Sequence, residues 1–136
     1  MGILYPTRED IIAWVQFVSE AEHLAVYMPI IDGRWIDAIV GDFALTTMHP
    51  DHDDLYRTSA RLLHRITKNH HFPDGNKRSA VVSVALLLAL NRHRFTIGAE
   101  GMYGLAKEVA ASDLNSELLV NSLAERFRSS IVSIDV

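Results

Sequence analysis

The chain has 136 residues, of which 49% are hydrophobic, and this predicts one folded domain over residues 1–136 and excludes disorder. The formal net charge of −4 excludes a broad electrostatic grip on nucleic acid, and the absence of cysteine excludes disulfides and cysteine metal sites. Because the N-terminus lacks a signal-peptide pattern and the apolar run at residues 80–90 is too short to cross a bilayer, we expect a cytoplasmic protein without membrane contact.

The N-terminal part of the chain predicts two helices. Thr7, with Asp10 three residues later, is typical of a capping box at a helix start. The apolar residues that follow have helical spacing on one face: Ile11, Trp14, Val15, Val18, Ala21 and Ala25. Pro29 and Gly33 break this helix, and a short second helix follows. The apolar side of that helix comprises Trp35, Ile36, Ile39, Val40 and Phe43.

The rest of the chain predicts a loop or small hairpin at residues 41–54 and then four more helices. The second of these four runs from about Asn76 to Asn91 and is apolar all round, which indicates a buried central helix. The last helix follows a cap at Ser112 or Asn115. The remaining apolar faces comprise Leu55, Ser59, Leu62, Leu63 and Ile66, then Met102, Leu105, Ala106 and Val109, then Leu118, Leu119, Leu123, Ala124 and Phe127. The predicted fold is all-α, a compact bundle of about six helices.

The stretch HHFPDGNKRS, residues 70–79, stands at the start of the predicted central helix. The first-turn N–H groups of a helix lack intrahelical partners and the helix dipole is positive there, so Lys77 and Arg78 are unfavourable unless an anion binds. A phosphate held by backbone N–H groups, the lysine and the arginine removes this conflict. Asp74 can hold Mg²⁺ between phosphate oxygens, and His70 can accept a proton from an attacking hydroxyl. The set predicts a phosphoryl- or nucleotidyl-transfer site.

Each of these residues also has a simpler explanation. Asp74 or Asn76 can cap the helix, Lys77 and Arg78 can be solvated surface charges, and a single histidine in a loop needs no function. The order and the spacing of all of them within nine residues favour the transfer site.

Residues 70–78 resemble the signature of the Fic/Doc family, HxFx(D/E)GNxxR, and in particular its short Doc form, HxFx(D/N)(A/G)NKR. The positions that fit the Doc form are His70, Phe72, Asp74, Gly75, Asn76, Lys77 and Arg78. The segments DGRWIDAIVG and DDLYRTSARLLHRITKN and the apolar helix after the motif are also similar to Doc-type proteins, so the resemblance covers most of the chain. It implies a small helical bundle with the motif loop at the N-terminus of a buried central helix.

The resemblance also implies a role for each site residue. His70 is the general base, Asp74 is the Mg²⁺ ligand, and ATP is the substrate. The nucleotide phosphates are held by Gly75, Asn76, Lys77, Arg78 and Lys68. A flap at about Phe43–His52 is implied to dock the target segment by strand addition.

Lys77 indicates which of two reactions the resemblance implies. Many Fic enzymes have glycine at this place and transfer AMP, whereas the Doc type has lysine, holds the nucleotide reversed and transfers the γ-phosphate to a Ser/Thr hydroxyl. The implied function is a Doc-like toxin of a toxin–antitoxin system that inhibits translation, with elongation factor Tu as a candidate target. The sequence has no S/TxxxE(G/N) inhibitory motif. The resemblance therefore implies control by a cognate antitoxin, which inserts its own C-terminal helix into a groove on this protein.

Three positions depart from the Doc pattern. His71 adds a second imidazole beside the base, Lys68 stands where the Doc type has arginine, and Val82 stands where it has asparagine. These departures bear on nucleotide choice and rate more than on the type of reaction.

Three alternatives stay open. One is adenylylation by the same fold with the nucleotide in the opposite orientation. Another is a catalytically silent binding module of this fold. The third is a structural zinc site, although no HxxxH or HExxH order supports it. Its ligands would come from His49, His52, Asp53, His64 and His71.

Overall fold

The computed structural model of the protein describes residues 2–20, 33–69 and 75–134. Within these residues the chain forms six helices and two short strands. In chain order they are α1 (Arg8–Glu20), α2 (Gly33–Thr47), α3 (Leu55–Asn69), α4 (Asn76–Leu90), β1 (His93–Phe95), α5 (Gly98–Ala111), α6 (Ser116–Ser130) and β2 (Ile131–Ser133). The prediction of an all-α bundle of about six helices is confirmed.

Helix α1 begins at a reciprocal capping box. The Thr7 N–H donates to Asp10 Oδ2 at 2.8 Å, and the Asp10 N–H donates to Thr7 Oγ1 at 3.1 Å. These bonds satisfy N–H groups that have no partner within the helix, as the sequence predicted. Ala21, Ala25 and Pro29, which the sequence pattern assigns to the rest of this helix and to the turn after it, lie outside the described residues.

Helix α4 is the buried centre of the bundle. Every residue from Ser79 to Leu88 is buried, because the helix packs against α1, α3, α5 and β1. This confirms the prediction drawn from its apolar composition. Two tryptophans donate hydrogen bonds to α4: Trp14 Nε1 to the Val82 carbonyl at 3.0 Å, and Trp35 Nε1 to Ser79 Oγ at 2.9 Å. These bonds join α1 and α2 to the first two turns of the central helix.

The C-terminal part of α2 departs from the prediction. The sequence predicted a loop or small hairpin at residues 41–54, but α2 continues to Thr47. Phe43 lies one turn after Ile39 and both are buried, as the sequence pattern predicted for the apolar side of this helix, and the helix continues four residues beyond Phe43. The prediction of a flap at Phe43–His52 is therefore wrong over its first half, since α-helical hydrogen bonding uses the backbone groups that strand addition would need.

Tight turns connect α2 to α3. The N–H groups of Met48, His49 and His52 donate to carbonyls three residues earlier, over 3.1 to 3.3 Å. The Asp54 carboxylate then accepts from the N–H groups of Tyr56 and Arg57 and caps the start of α3. In the described chain this connection contains no strand.

A charged cluster holds this turn against α3 and α6. Asp51 accepts hydrogen bonds from Arg57 Nε at 2.7 Å and from Arg61 Nη2 at 3.0 Å, and its Oδ1 lies 2.7 Å from His49 Nδ1. Arg61 Nη1 also donates to Glu117 at 2.7 Å. Burial alone would raise the pKa of Asp51, but the hydrogen bonds from Arg61 and Arg57 outweigh burial and hold this pKa well below its usual range.

The small sheet was not predicted from the sequence. Strands β1 and β2 are antiparallel, with His93 opposite Ser133 and Phe95 opposite Ile131. Strands of three residues are too short to show the alternating pattern by which a strand is recognised. None of the described helices has both the length and the apolar character needed to cross a membrane.

The start of α6 decides between the two predicted caps. Asn115 is the N-cap residue, and its Oδ1 accepts a hydrogen bond from the Glu117 N–H at 2.9 Å. Ser112 instead follows the end of α5. Leu118 is exposed, so the prediction that it belongs to the buried face of α6 is wrong.

We expect the Asp51→Asn variant to be less stable at pH 7 by about 2 kcal/mol, because Arg57 and Arg61 lose a charged hydrogen-bond partner. The pKa of Asp51 is lower in the folded protein than in the unfolded chain, so this contribution is complete above about pH 4 and is lost as the pH falls further. Urea unfolding should therefore show a smaller difference from wild type at about pH 2 than at pH 7.

The matched control is Asp53→Asn, since Asp53 lies in the same turn but is exposed. We expect its stability to stay within about 0.5 kcal/mol of wild type. Equal losses in the two variants would contradict a specific role for Asp51.

Candidate active site at the start of helix α4

Helix α4 begins directly after Gly75. Gly75 is the N-cap residue and has φ 89° and ψ 6°, in the left-handed region that residues with a Cβ rarely adopt. From this residue the chain enters the helix, so that Asn76, Lys77 and Arg78 are its first three residues. The structure thus confirms the predicted helix start and places the two cations in the first turn.

The first turn of α4 favours an anion. It contains no acidic residue, and Asn76, Lys77 and Arg78 are each partly exposed. The N–H groups of a helix start and the positive end of the helix dipole attract negative charge, and the lysine and arginine add to this attraction. This end of α4 therefore has the electrostatic character of a phosphate site.

A buried chain of hydrogen bonds holds the Gly75 carbonyl, and we call it the Trp35–Ser79 relay. Trp35 Nε1, on α2, donates to Ser79 Oγ at 2.9 Å, and Ser79 Oγ donates to the Gly75 carbonyl at 2.7 Å. The backbone N–H of Ser79 donates to the same carbonyl at 2.8 Å. Because Trp35 and Ser79 are fully buried, water does not compete for these bonds.

Helix α2 also contacts the last residue of α3, directly before residues 70–74. Asn69, the last residue of α3, donates from Nδ2 to Asp42 Oδ1 at 2.9 Å. Asp42 is buried on α2, and its Oδ1 lies 3.4 Å from Arg65 Nε. Asp42 and Trp35 are about two helical turns apart, so one face of α2 contacts the residues on both sides of residues 70–74.

The sequence-predicted base and metal ligand, His70 and Asp74, lie outside the described residues, as do His71 and Phe72. Their roles stay predictions. Val82, the third departure from the Doc pattern, has its side chain in the buried core.

Lys68 lies at the end of α3. Its Nζ donates to the Ser112 carbonyl at 2.9 Å and lies 3.5 Å from the Ala110 carbonyl, at the C-terminal end of α5. A cation stabilises that end of a helix through the dipole and the unpaired carbonyls. The structure therefore gives Lys68 a contact with the fold, and its phosphate-binding role stays a prediction.

The candidate zinc ligands are dispersed. His49 is engaged with Asp51, and burial together with the charge of Lys68 lowers the pKa of the half-buried His64. Over residues 2–20, 33–69 and 75–134, no group of three or more histidine, aspartate or glutamate side chains is placed to hold a metal ion. His71 lies outside these ranges.

The supporting residues Trp35, Asp42 and Ser79 were not predicted. The sequence pattern assigns Trp35 only to an apolar face and Asp42 to a loop. The one available signal is Ser79, a polar residue that directly follows Arg78 at the head of an otherwise apolar helix.

Residues 34–88 match the model of the Fic/DOC family. The match spans less than half of the chain but includes the whole motif at residues 70–78, together with α3 and most of α2 and α4. The match suggests a Fic-fold enzyme that transfers a nucleotide or a phosphate group. Members of that family are typically transferases that act on proteins and use ATP, usually with Mg²⁺. No curated protein and no solved structure matches the chain.

We expect the Gly75→Ala variant to lose about 1 to 2 kcal/mol of stability, because a Cβ is unfavourable in the left-handed region. Thermal unfolding measures the loss. Gly104→Ala is the matched control: Gly104 lies inside α5, where an added Cβ meets nothing within 4 Å, so this change should stabilise the helix by about 0.5 to 1 kcal/mol. A Gly75→Ala protein as stable as wild type would contradict the left-handed conformation.

Proposed function

We propose that this protein is a Doc-type phosphotransferase that transfers the γ-phosphate of ATP to a serine or threonine hydroxyl of a target protein. The observation that carries the proposal is the first turn of α4. There Asn76, Lys77 and Arg78 follow the left-handed Gly75, within a segment that matches the Fic/DOC family. A cationic helix start suits the phosphates of a nucleotide.

The phosphate-binding part of the proposal uses backbone and side chains together. The amides of the first turn of α4 donate to phosphate oxygens, Lys77 contributes a point charge, and Arg78 contributes a planar donor fork. The donors proposed for Mg²⁺ are the Asp74 carboxylate and the phosphate oxygens, which are the hard oxygen ligands that this ion prefers. When bound, Mg²⁺ neutralises negative charge on the phosphates.

His70 supplies the base in this proposal. The hydroxyl oxygen of the target forms a bond to the γ-phosphorus as the bond from that phosphorus to the bridging oxygen breaks, and ADP leaves. The imidazole of His70 accepts the hydroxyl proton in this step. Asn69, the residue before His70, is held by the buried Asp42, so the base follows a segment that the bundle restrains.

The preference for phosphate over AMP transfer rests on Lys77. In the family that the motif resembles, glycine at this position accompanies AMP transfer, whereas lysine accompanies transfer of the γ-phosphate. Transfer of AMP by the same site is the competing outcome in the labelling experiment below.

The proposed biological context is a toxin that inhibits translation, with elongation factor Tu as a candidate target and a cognate antitoxin as regulator. An antitoxin helix would need an apolar groove. A groove of about 240 Å³ lies beside Trp14, near the C-terminal half of α4, where Leu88, Phe95 and Ile134 also line it.

We expect γ-labelled ATP to label one target protein in a cell lysate and α-labelled ATP to leave it unlabelled. His70→Ala should lower the labelling by at least about 100-fold, because it removes the general base. His71→Ala is the matched control and should keep most of the activity. Label from the α position would identify an adenylyltransferase instead, and undiminished labelling by His70→Ala would contradict the assigned base.

We expect Asp74→Ala to lose the Mg²⁺-dependent part of ATP binding. Calorimetry should show a Kd for ATP about tenfold higher than that of wild type, and this Kd should no longer respond to Mg²⁺. Asp53→Ala, which removes an exposed carboxylate elsewhere, is the control. Equal binding by the Asp74→Ala and wild-type proteins would contradict the metal role.

A further inference from the structure

We propose that Ser79, through the Trp35–Ser79 relay, is a positioning residue that orients the first amide of α4 toward the phosphates of the nucleotide. The inference rests on the proposed function for its ligand. It adds two residues, Trp35 and Ser79, that do not belong to the predicted site and do not need to touch the nucleotide themselves.

Ser79 fixes the direction of the Gly75 carbonyl. Ser79 donates two hydrogen bonds to this oxygen, from its backbone N–H at 2.8 Å and from its Oγ at 2.7 Å. A carbonyl oxygen has two lone pairs, so both acceptor positions are occupied. The direction of the Gly75 carbonyl is therefore set along the helix toward Ser79.

The planarity of the peptide bond links the direction of the Gly75 carbonyl to the direction of the Asn76 N–H. The Gly75–Asn76 peptide is trans, so its C=O and N–H point in opposite directions. With the carbonyl directed into α4, the Asn76 N–H is directed toward the helix start. Ser79 thus controls the orientation of the amide that a phosphate at this helix end would meet first.

Trp35 determines the direction in which the Ser79 hydroxyl donates its proton. The indole Nε1–H of Trp35 can only donate, so Ser79 Oγ must act as its acceptor. The hydroxyl proton is then available for the Gly75 carbonyl, which can only accept. Trp35 therefore holds the serine hydroxyl in the orientation that donates to the Gly75 carbonyl.

The relay matters because of the residue that it restrains. Glycine has the widest conformational freedom of any residue, and Gly75 is the N-cap residue from which α4 begins. A restraint that is already in place before binding removes the cost of ordering this residue when the ligand arrives. We therefore expect the Trp35–Ser79 relay to raise the affinity for the nucleotide without any contact between these two residues and the nucleotide.

The chain offers a matched control for Ser79. Ser83 lies one turn later on α4 and is also buried, but its Oγ has no hydrogen-bond partner among the residues that the structure describes. Ser79→Ala and Ser83→Ala thus remove the same atom from the same helix. Only the first variant breaks the relay.

The test has two measurements on the full-length protein. The first is the NMR order parameter of the Gly75 and Asn76 amides, measured without ligand. It should fall from about 0.85 toward about 0.6 in Ser79→Ala. It should stay at the wild-type value in Ser83→Ala. The second is calorimetry with Mg²⁺ and ATP. The Kd should rise about tenfold in Ser79→Ala and stay unchanged in Ser83→Ala, and Ser79→Thr, which keeps the hydroxyl, should restore most of the affinity.

The outcomes separate this inference from the proposed function. Unchanged order parameters in Ser79→Ala would overturn the restraint on Gly75. Lower order parameters with unchanged ATP affinity would overturn the positioning role and leave the proposed function standing. A wild-type protein that does not bind ATP would overturn the proposed function, while the first measurement would still decide the restraint. If Ser79→Ala does not fold, Trp35→Phe, which removes the indole donor, is judged by the same two measurements.

Discussion

The candidate site depends on one face of helix α2. Asp42 accepts a hydrogen bond from Asn69 at the end of α3, and Trp35 donates one to Ser79 in the first turn of α4. Trp35, Ser79 and Asp42 are buried, whereas Asn69 is exposed. Removing one partner of a buried polar pair such as Trp35 and Ser79 leaves an unsatisfied group at a cost of about 1 to 3 kcal/mol. Helix α2 therefore contacts both the end of α3 and the start of α4, which precede and follow residues 70–74 in the sequence.

Basic residues occur both along α3 and at the start of α4. Those on α3 are compensated within the fold: Arg57 and Arg61 contact Asp51, and Lys68 binds carbonyls at the end of α5, where a positive charge is favourable. Lys77 and Arg78 stand in the first turn of α4, where the helix dipole opposes them. A phosphate suits this helix end, because an anion there interacts favourably with the helix dipole and with both cations.

The sequence predicted those features that depend on neighbouring residues. The Thr7–Asp10 capping box and the helix start after Gly75 are both confirmed, because capping chemistry acts over three or four residues. The prediction of a loop was wrong over residues 41–47, where polar composition indicated a loop but α2 continues to Thr47, whereas residues 48–54 form turns. It also missed strands β1 and β2, whose pairing joins segments far apart in the chain.

The sequence by itself determined the helical class, the buried central helix and the order of the motif residues, since composition, periodicity and spacing carry that information. Only the tertiary structure decided that Trp35 contacts Ser79 and that Asp42 contacts Asn69. These residues belong to different helices, and nothing in a local pattern states which helix faces will meet. The support of the site became visible only once packing had brought α2 against the ends of α3 and α4, because hydrogen bonds between distant segments follow from how helices pack.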